Sequence, residues 1–185
     1  ARAARTAKTG SVVVTDGSGS FLQSRSMFQQ LHDFGDFGKI VASSASIPEA
    51  KKMLMTRTAR YSGLLDVLEF HEGASPTFDG VAAWLALNAD EETLPADIEA
   101  ACKAGVTRAF VLCSTPLSDF DAMDAKLAAS GLEYTLMRTG ALVADEAAVG
   151  LGLKLDDFEG VTCEDVPMGD VFRFVTEALT LPEAA

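Results

Sequence analysis

Short apolar runs alternate along this chain with longer stretches whose apolar residues recur every three or four positions. The first period points to strands and the second to helices. The runs that read as strands are Val12 to Thr15, Lys39 to Ala42, Leu65 to Phe70, Val81 to Asn88, Arg108 to Ser114 and Tyr134 to Arg138. Their density of Val, Leu and Ile fits strands buried on both faces, as in a parallel sheet covered by helices. Between them Met27, Phe28, Leu31 and Phe34 form one helical stripe, with Gly35 as its C-cap. Pro48 opens a helix running toward Arg60, and Pro95 opens another in which Ile98, Ala101 and Cys102 face the sheet and Gly105 ends it. Leu117, Phe120, Met123 and Leu127 mark a further helix closed by Gly131, and Val171, Phe174, Val175, Ala178 and Leu179 mark the last.

Strand, helix and strand in regular succession, joined by right-handed crossovers, predict an α/β fold: a doubly wound, mostly parallel sheet with helices on both faces. Such sheets hold ligands beyond the carboxyl ends of their strands. Candidate function is thereby confined to Asp16 to Phe21, Ser43 to Ser46, His71 to Gly73, Asn88 to Glu92, Ser114 to Leu117 and Arg138 to Leu142.

Composition narrows the class. With 185 residues, 48% of them hydrophobic, the chain is expected to form a single domain over residues 11–185 behind a basic tail, residues 1–10. That tail carries Arg2, Arg5 and Lys8 with no acid, and reads as a simple basic extension or as the remainder of an organelle transit sequence. A net charge of −12 excludes a general nucleic-acid surface and attraction to anionic lipid. No stretch approaches the roughly 18 apolar residues of a membrane span, so membrane association would run through a protein partner. Cys102, Cys113 and Cys163 form no C-x-x-C pair, so neither a metal site nor a disulfide framework is expected; they read as small buried hydrophobes in a reducing compartment.

Two later stretches carry a family likeness. "AGVTRAFVLCST", Ala104 to Thr115, followed by "KLAASGLEYTLMRTGALV", Lys126 to Val143, resembles the atypical short-chain dehydrogenase/reductase superfamily, including its NmrA-like members. Gly131, Leu132, Tyr134, Thr135, Arg138 and Gly140 fall in register with the family motif, and Thr139 stands where proline is usual. "FDGVAAWLALNAD", Phe78 to Asp90, is similar to the family's fourth strand, and "EDVPMGDVFRFVTEALTLPEA", Glu164 to Ala184, to its closing helix. The resemblance implies a Rossmann-like domain of the NAD(P)-binding type. It implies no single activity, because the superfamily holds reductases, isomerases, sensors and non-catalytic assembly factors.

The family's dinucleotide turn, T-G-A-x-G-x-x-G, uses glycine so that backbone N–H groups can approach a pyrophosphate at a helix N-terminus. Here Thr15 and Gly19 match, while Asp16 stands at the first glycine and Leu22 at the third. A carboxylate about 4 Å from a phosphate oxygen costs on the order of 4 kcal/mol at an effective dielectric of ~20, whereas a helix N-terminus returns only ~0.3 to 2 kcal/mol. Repulsion wins if Asp16 faces the ligand. The turn then reads as a strand-to-helix connection in which Ser18 or Ser20 caps the helix. The residues the resemblance assigns to a vestigial cofactor site are Thr15, Gly17, Ser18, Gly19, Ser20, Phe21, Asn88 and Ser114. After the second strand, "ASSAS" from Ala42 to Ser46 offers only hydroxyls where a ribose-binding acid is usual, and His71 reads as a surface or loop residue.

Reductases of the family use a tyrosine acid with a nearby lysine and a serine. Ser114 or Thr115 holds the serine's place, but "PLSDFDAMDAKLAAS", Pro116 to Ser130, contains no tyrosine. Asp119, Asp121 and Asp124 stand there instead and read as a solvated helix face, and Tyr134 as a structural tyrosine. No catalytic residue is assigned; Ser114, Thr115 and Arg138 are the substitutes a divergent enzyme would use. The sequence reading is a non-catalytic, degenerate member of the superfamily, without bound cofactor. The resemblance implies service as an interaction, assembly or accessory subunit of a larger membrane-associated, organellar and photosynthetic complex in the plastid stroma, or otherwise in another soluble reducing compartment. The alternative is an NAD(P)H-dependent reductase or isomerase with a divergent site, or an NAD(P)-sensing module. The segment Ala144 to Gly160 and the basic tail are the candidate contacts to a partner.

Overall fold

A computed structural model describes residues 9–17, 21, 25–73, 75–89, 91–113, 120–144 and 165–180. Its strands are β1 (Thr9–Asp16), β2 (Phe37–Ser44), β3 (Leu68–Glu72), β4 (Ala83–Leu87), β5 (Arg108–Cys113), β6 (Glu133–Arg138) and the two-residue β7 (Leu142–Val143) and β8 (Val166–Pro167). The helices are α1 (Arg25–Asp33), α2 (Ile47–Leu54), α3 (Arg57–Ser62), α4 (Leu94–Ala104), α5 (Phe120–Ser130) and α6 (Met168–Thr180), with a 3-10 turn at Leu64–Asp66. β1 to β6 form one parallel sheet in the order β3-β2-β1-β4-β5-β6. β7 and β8, which the hydrophobic pattern does not announce, pair separately. β1 begins at Thr9, within the stretch expected to be tail.

Alternation along each strand divides the core in two. Val12 and Val14 face one side with Ile40, Leu85 and Phe110, and are covered by α1, α2, α3 and α6. Val13 faces the other with Val41, Trp84 and Val111, under α4 and α5. β4 is buried along its whole length, because it lies centrally with a helical layer on each face. At the sheet's edge β6 is only half-buried.

The punctuation follows the sequence in part. Gly105 and Gly131 end α4 and α5 with φ of 78° and 79°, a left-handed conformation that glycine adopts without steric cost. Four expectations fail. Gly35 is not the left-handed cap of α1: Asp36 takes that conformation at φ 52°, and a Cβ at position 35 would lie 2.7 Å from the Leu31 carbonyl oxygen, so glycine serves close approach there. Phe34, past the end of α1, is 71% exposed instead of completing the apolar stripe. The helix from Pro48 toward Arg60 is broken at Met55 and Thr56, where the Thr56 hydroxyl accepts a hydrogen bond from the Ala59 N–H (3.1 Å) and starts α3 anew. The first part of the predicted third strand is likewise the 3-10 turn. Cys113 is buried and Cys102 half-buried; Cys163 and Leu117 lie outside the described residues.

Candidate functional site at the strand switch point

Chain order reverses at β1. From there the chain steps to β2 and β3 on one side and returns through β4 to the other, so the carboxyl ends of β1 and β4 border a crevice. The first residues past those ends hold it in shape. The Gly17 N–H donates to the Leu87 carbonyl (2.9 Å). Asn88, at φ 47°, donates its side-chain N–H to Asp16 Oδ1 (2.9 Å). Asparagine tolerates this left-handed backbone better than most residues do. Asp16, 9% exposed, thus sits at the switch point with an amide partner, and an amide neutralises none of its charge.

Thr15 is engaged from within the core. The indole N–H of the fully buried Trp84 donates to the Thr15 hydroxyl (3.1 Å), so this family-matching threonine satisfies a buried donor. Phe21, at φ 54°, is fully buried, with its ring edge-on to Phe28 at 5.3 Å between centroids. It belongs to the core under α1 and is not part of the crevice wall.

The crevice is a cleft of about 200 Å³. Thr15, Asp16 and Gly17 contribute from β1 and its turn, Ser43, Ser44 and Ala45 from β2, and Thr93, Leu94 and Asp97 from the start of α4. Ser43 stands in register between Thr15 of β1 and His71 of β3. It is 7% exposed and lines the cleft; the buried side-chain oxygens without a hydrogen-bond partner among the described residues lie elsewhere, on Gln30 and Thr139. Ser44 turns its hydroxyl to the chain itself, accepting from the Ser46 N–H at 3.1 Å.

Asp97 is the residue that sequence reasoning missed. It lies in the first turn of α4 and lines the cleft, with no hydrogen bond or ion pair to its carboxyl among the described residues, and burial pushes that carboxyl up to about 6. A signal was present: Leu94, Asp97, Ile98 and Ala101 follow the i, i+3, i+4, i+7 spacing of one helix face, so an acid occupies an apolar-face position. Among the described residues two carboxylates therefore line the cleft and no basic side chain does.

The remaining candidates lie apart. Asn88 serves Asp16 and is not in the cleft wall. Arg138, the last residue of β6, stacks over Phe120 at 5.2 Å. His71 is a half-buried strand residue of β3. Tyr134 donates its hydroxyl to Asp124 Oδ1 (2.8 Å), which holds its proton more firmly than usual. Cys113 is buried, and desolvation with Glu91 nearby pushes its thiol up to about 11, so it is unreactive at neutral pH. Ser18, Gly19, Ser20, Ser114, Thr115 and Asp119 lie outside the described residues, as does nearly all of Ala144 to Gly160. Among the described residues no cluster of His, Cys, Asp and Glu could hold a metal ion, and no helix is long and apolar enough to cross a membrane.

No protein-family model matches the chain, and no curated protein sequence does. Solved structures do. A Rossmann-fold NAD(P)-binding family protein from Shigella flexneri is 19% identical, with a TM-score of 0.62 over 94% of this chain and 88% of that one. The reductase domain of an aureusimine biosynthetic cluster is 14% identical, with a TM-score of 0.50 over 73% of this chain and 50% of that one. Leucoanthocyanidin reductase from Vitis vinifera, in binary complex with NADPH, is 12% identical, with a TM-score of 0.50 over 94% of this chain and 66% of that one. The chain thus spans nearly all of the first of these and half of the second. Strand order, crevice and neighbours agree: this chain has the Rossmann fold of NAD(P)-binding proteins.

Proposed function

We propose that this chain is a non-catalytic, degenerate member of the atypical short-chain dehydrogenase/reductases. In this reading it acts as an interaction, assembly or accessory subunit of an organellar complex of the photosynthetic kind, in the plastid stroma. The observation that carries the reading is the Asp16 carboxylate at the head of the β1 turn, held at the switch point by Asn88. A dinucleotide would set its diphosphate against that charge, and the turn returns too little to offset it. The cleft of about 200 Å³ also falls below the ~300 to 1,000 Å³ usual for cofactor sites. The absence of a tyrosine between Pro116 and Ser130 removes the family's proton donor.

Titrating the full chain with NADPH and with NADH tests this. The expected result is no saturable binding below about 1 mM, against the micromolar affinities of working dehydrogenases. Micromolar binding by the wild-type chain overturns the reading. An NAD(P)-sensing module is the second reading, favoured by an open cleft at the point where this fold holds ligands and by the NADPH complex of one structural neighbour. Tight binding without turnover of any carbonyl substrate would establish it.

A further inference from the structure

We infer that the exposed face of α2 and α3 docks an acidic segment of a partner protein. The inference rests on the reading of the chain as an interaction subunit, and names the surface used and the chemistry of what it receives. Residues 50–65 hold Lys51, Lys52, Arg57 and Arg60 and no acid, in a chain whose net charge is −12. All four basic side chains are exposed. So are Met55 at 46% and Tyr61 at 71%, two of the three exposed large hydrophobic side chains among the described residues. This face stands apart from the switch-point cleft. α2 leaves the carboxyl end of β2, α3 and the 3-10 turn bring the chain to the amino end of β3, and none of these six residues lines the cleft.

The charges on this face are unspent. Elsewhere Lys39, Lys103, Arg108 and Arg173 each reach a carboxylate. None of the four on this face does so among the described residues. Lys51 lies over the Phe70 ring at 5.6 Å and Arg57 over the Tyr61 ring at 5.5 Å, contacts that leave each charge whole. Helix dipoles favour Lys51, Lys52 and Arg60, each in the last turn of its helix. They work against Arg57, the first residue of α3, so its place serves something other than the helix. An exposed Arg laid on an exposed Tyr is a pairing suited to protein interfaces: the ring offers rigid apolar area, and the guanidinium grips a carboxylate at two points. The occupant is therefore anionic, with an apolar side chain to cover Met55 and Tyr61. Range selects a short protein segment over a membrane or a nucleic acid. At physiological salt a charge is felt over about 8 Å, so a peptide meets this face alone. A bilayer or a duplex extends past it and also meets the surrounding acids, beginning with the exposed Glu49 and Asp66 at its borders.

The test follows the fluorescence anisotropy of a labelled peptide of repeated Glu-Glu-Leu on titration with the full chain. Beside it run the same repeat with Gln for Glu, vesicles of phosphatidylserine and phosphatidylcholine, duplex DNA, and NADPH. The expectation is saturable binding of the acidic peptide with a Kd on the order of 100 μM at about 50 mM salt. The Gln peptide should bind about tenfold or more weakly, and raising salt to about 200 mM should weaken the acidic peptide about threefold or more. Arg57→Glu should lose about fivefold or more in affinity with no loss of stability, since an acid suits the first turn of a helix. Lys126→Glu makes an equal charge change at an exposed position of α5 and should bind within about twofold of the wild type. Tyr61→Ala should weaken binding by less than Arg57→Glu does. The inference is overturned if the acidic peptide fails to saturate at about ten times the expected Kd, if the Gln peptide binds equally, if Arg57→Glu binds as the wild type does, or if Lys126→Glu loses as much. Vesicles or DNA that bind more tightly than the peptide, and lose that binding in Arg57→Glu, overturn it as well. So does self-association of the chain, seen by sedimentation, that Arg57→Glu abolishes. Failure of the peptide in a chain that also ignores NADPH leaves the non-catalytic reading intact. Micromolar NADPH binding removes that reading, and the peptide result then decides the surface alone.

Discussion

The two walls of the cleft present the same functional group in opposite circumstances. On the β1 wall, Asp16 has a side-chain amide donor, the turn behind it is tied to β4 through Gly17, and Phe21 fills the core beneath α1. On the α4 wall, Asp97 has no donor among the described residues, and burial alone raises its proton affinity. One carboxylate is built into the structure and the other is held bare by it. A group that is fully engaged contributes to the fold, and a group left bare is available to a ligand.

Substitutions at three positions probe that contrast, in decreasing order of expected effect. Phe21→Ala should destabilise the chain by about 3 to 5 kcal/mol in urea denaturation, because a fully buried ring packed edge-on against Phe28 is lost. A cost below about 1 kcal/mol, the range of surface positions, would mean that the β1 wall is not anchored in the core. Asn88→Ala should cost about 1 to 3 kcal/mol, since it removes the donor to Asp16 and places a Cβ residue at φ 47° without a polar side chain to ease it. Asn88→Gly accepts that backbone freely and should cost less, so the difference between the two variants measures the strain separately from the hydrogen bond.

Asp97→Asn should change stability least, and in the opposite direction. The carboxyl releases its proton near pH 4 in the unfolded chain and near 6 in the folded one, so below about pH 4 it imposes no penalty. As pH rises from about 4 to about 6 the unfolded state ionises first and stability falls, and above 6 the penalty is complete. With Asp16 as the other carboxylate of the cleft and water screening its exposed side, the gain from Asp97→Asn at pH 8 should be about 1 kcal/mol, vanishing at pH 4. Thermal melts at the two pH values read this directly, and equal stability of the two chains at both would show that Asp97 carries no desolvation cost.

Much of the fold was legible because burial imposes a period. The six sheet strands and the stops at Gly105 and Gly131 appear in the sequence as apolar runs and as glycines after helical stripes. The break between α2 and α3 was hidden, since Thr56 is an ordinary helix residue until its hydroxyl turns back to the Ala59 N–H. The β7 and β8 pair was hidden too, being short and joined across a long stretch of chain. At the site, the sequence exposed the missing glycine at Asp16 but not the partner that holds it.

Taken alone, the order of residues determined that this would be a doubly wound parallel sheet with an acid at the head of its first turn, because apolar period and turn chemistry act between near neighbours. Only the tertiary structure decided that Trp84 takes the hydroxyl of Thr15, that Asn88 takes a carboxylate oxygen of Asp16, and that Asp97 meets Ser43 across one cleft. Those pairs stand far apart along the chain and become neighbours only once β1, β2 and β4 align in register and α4 packs across them. Contact between distant residues follows from packing, which no local pattern encodes.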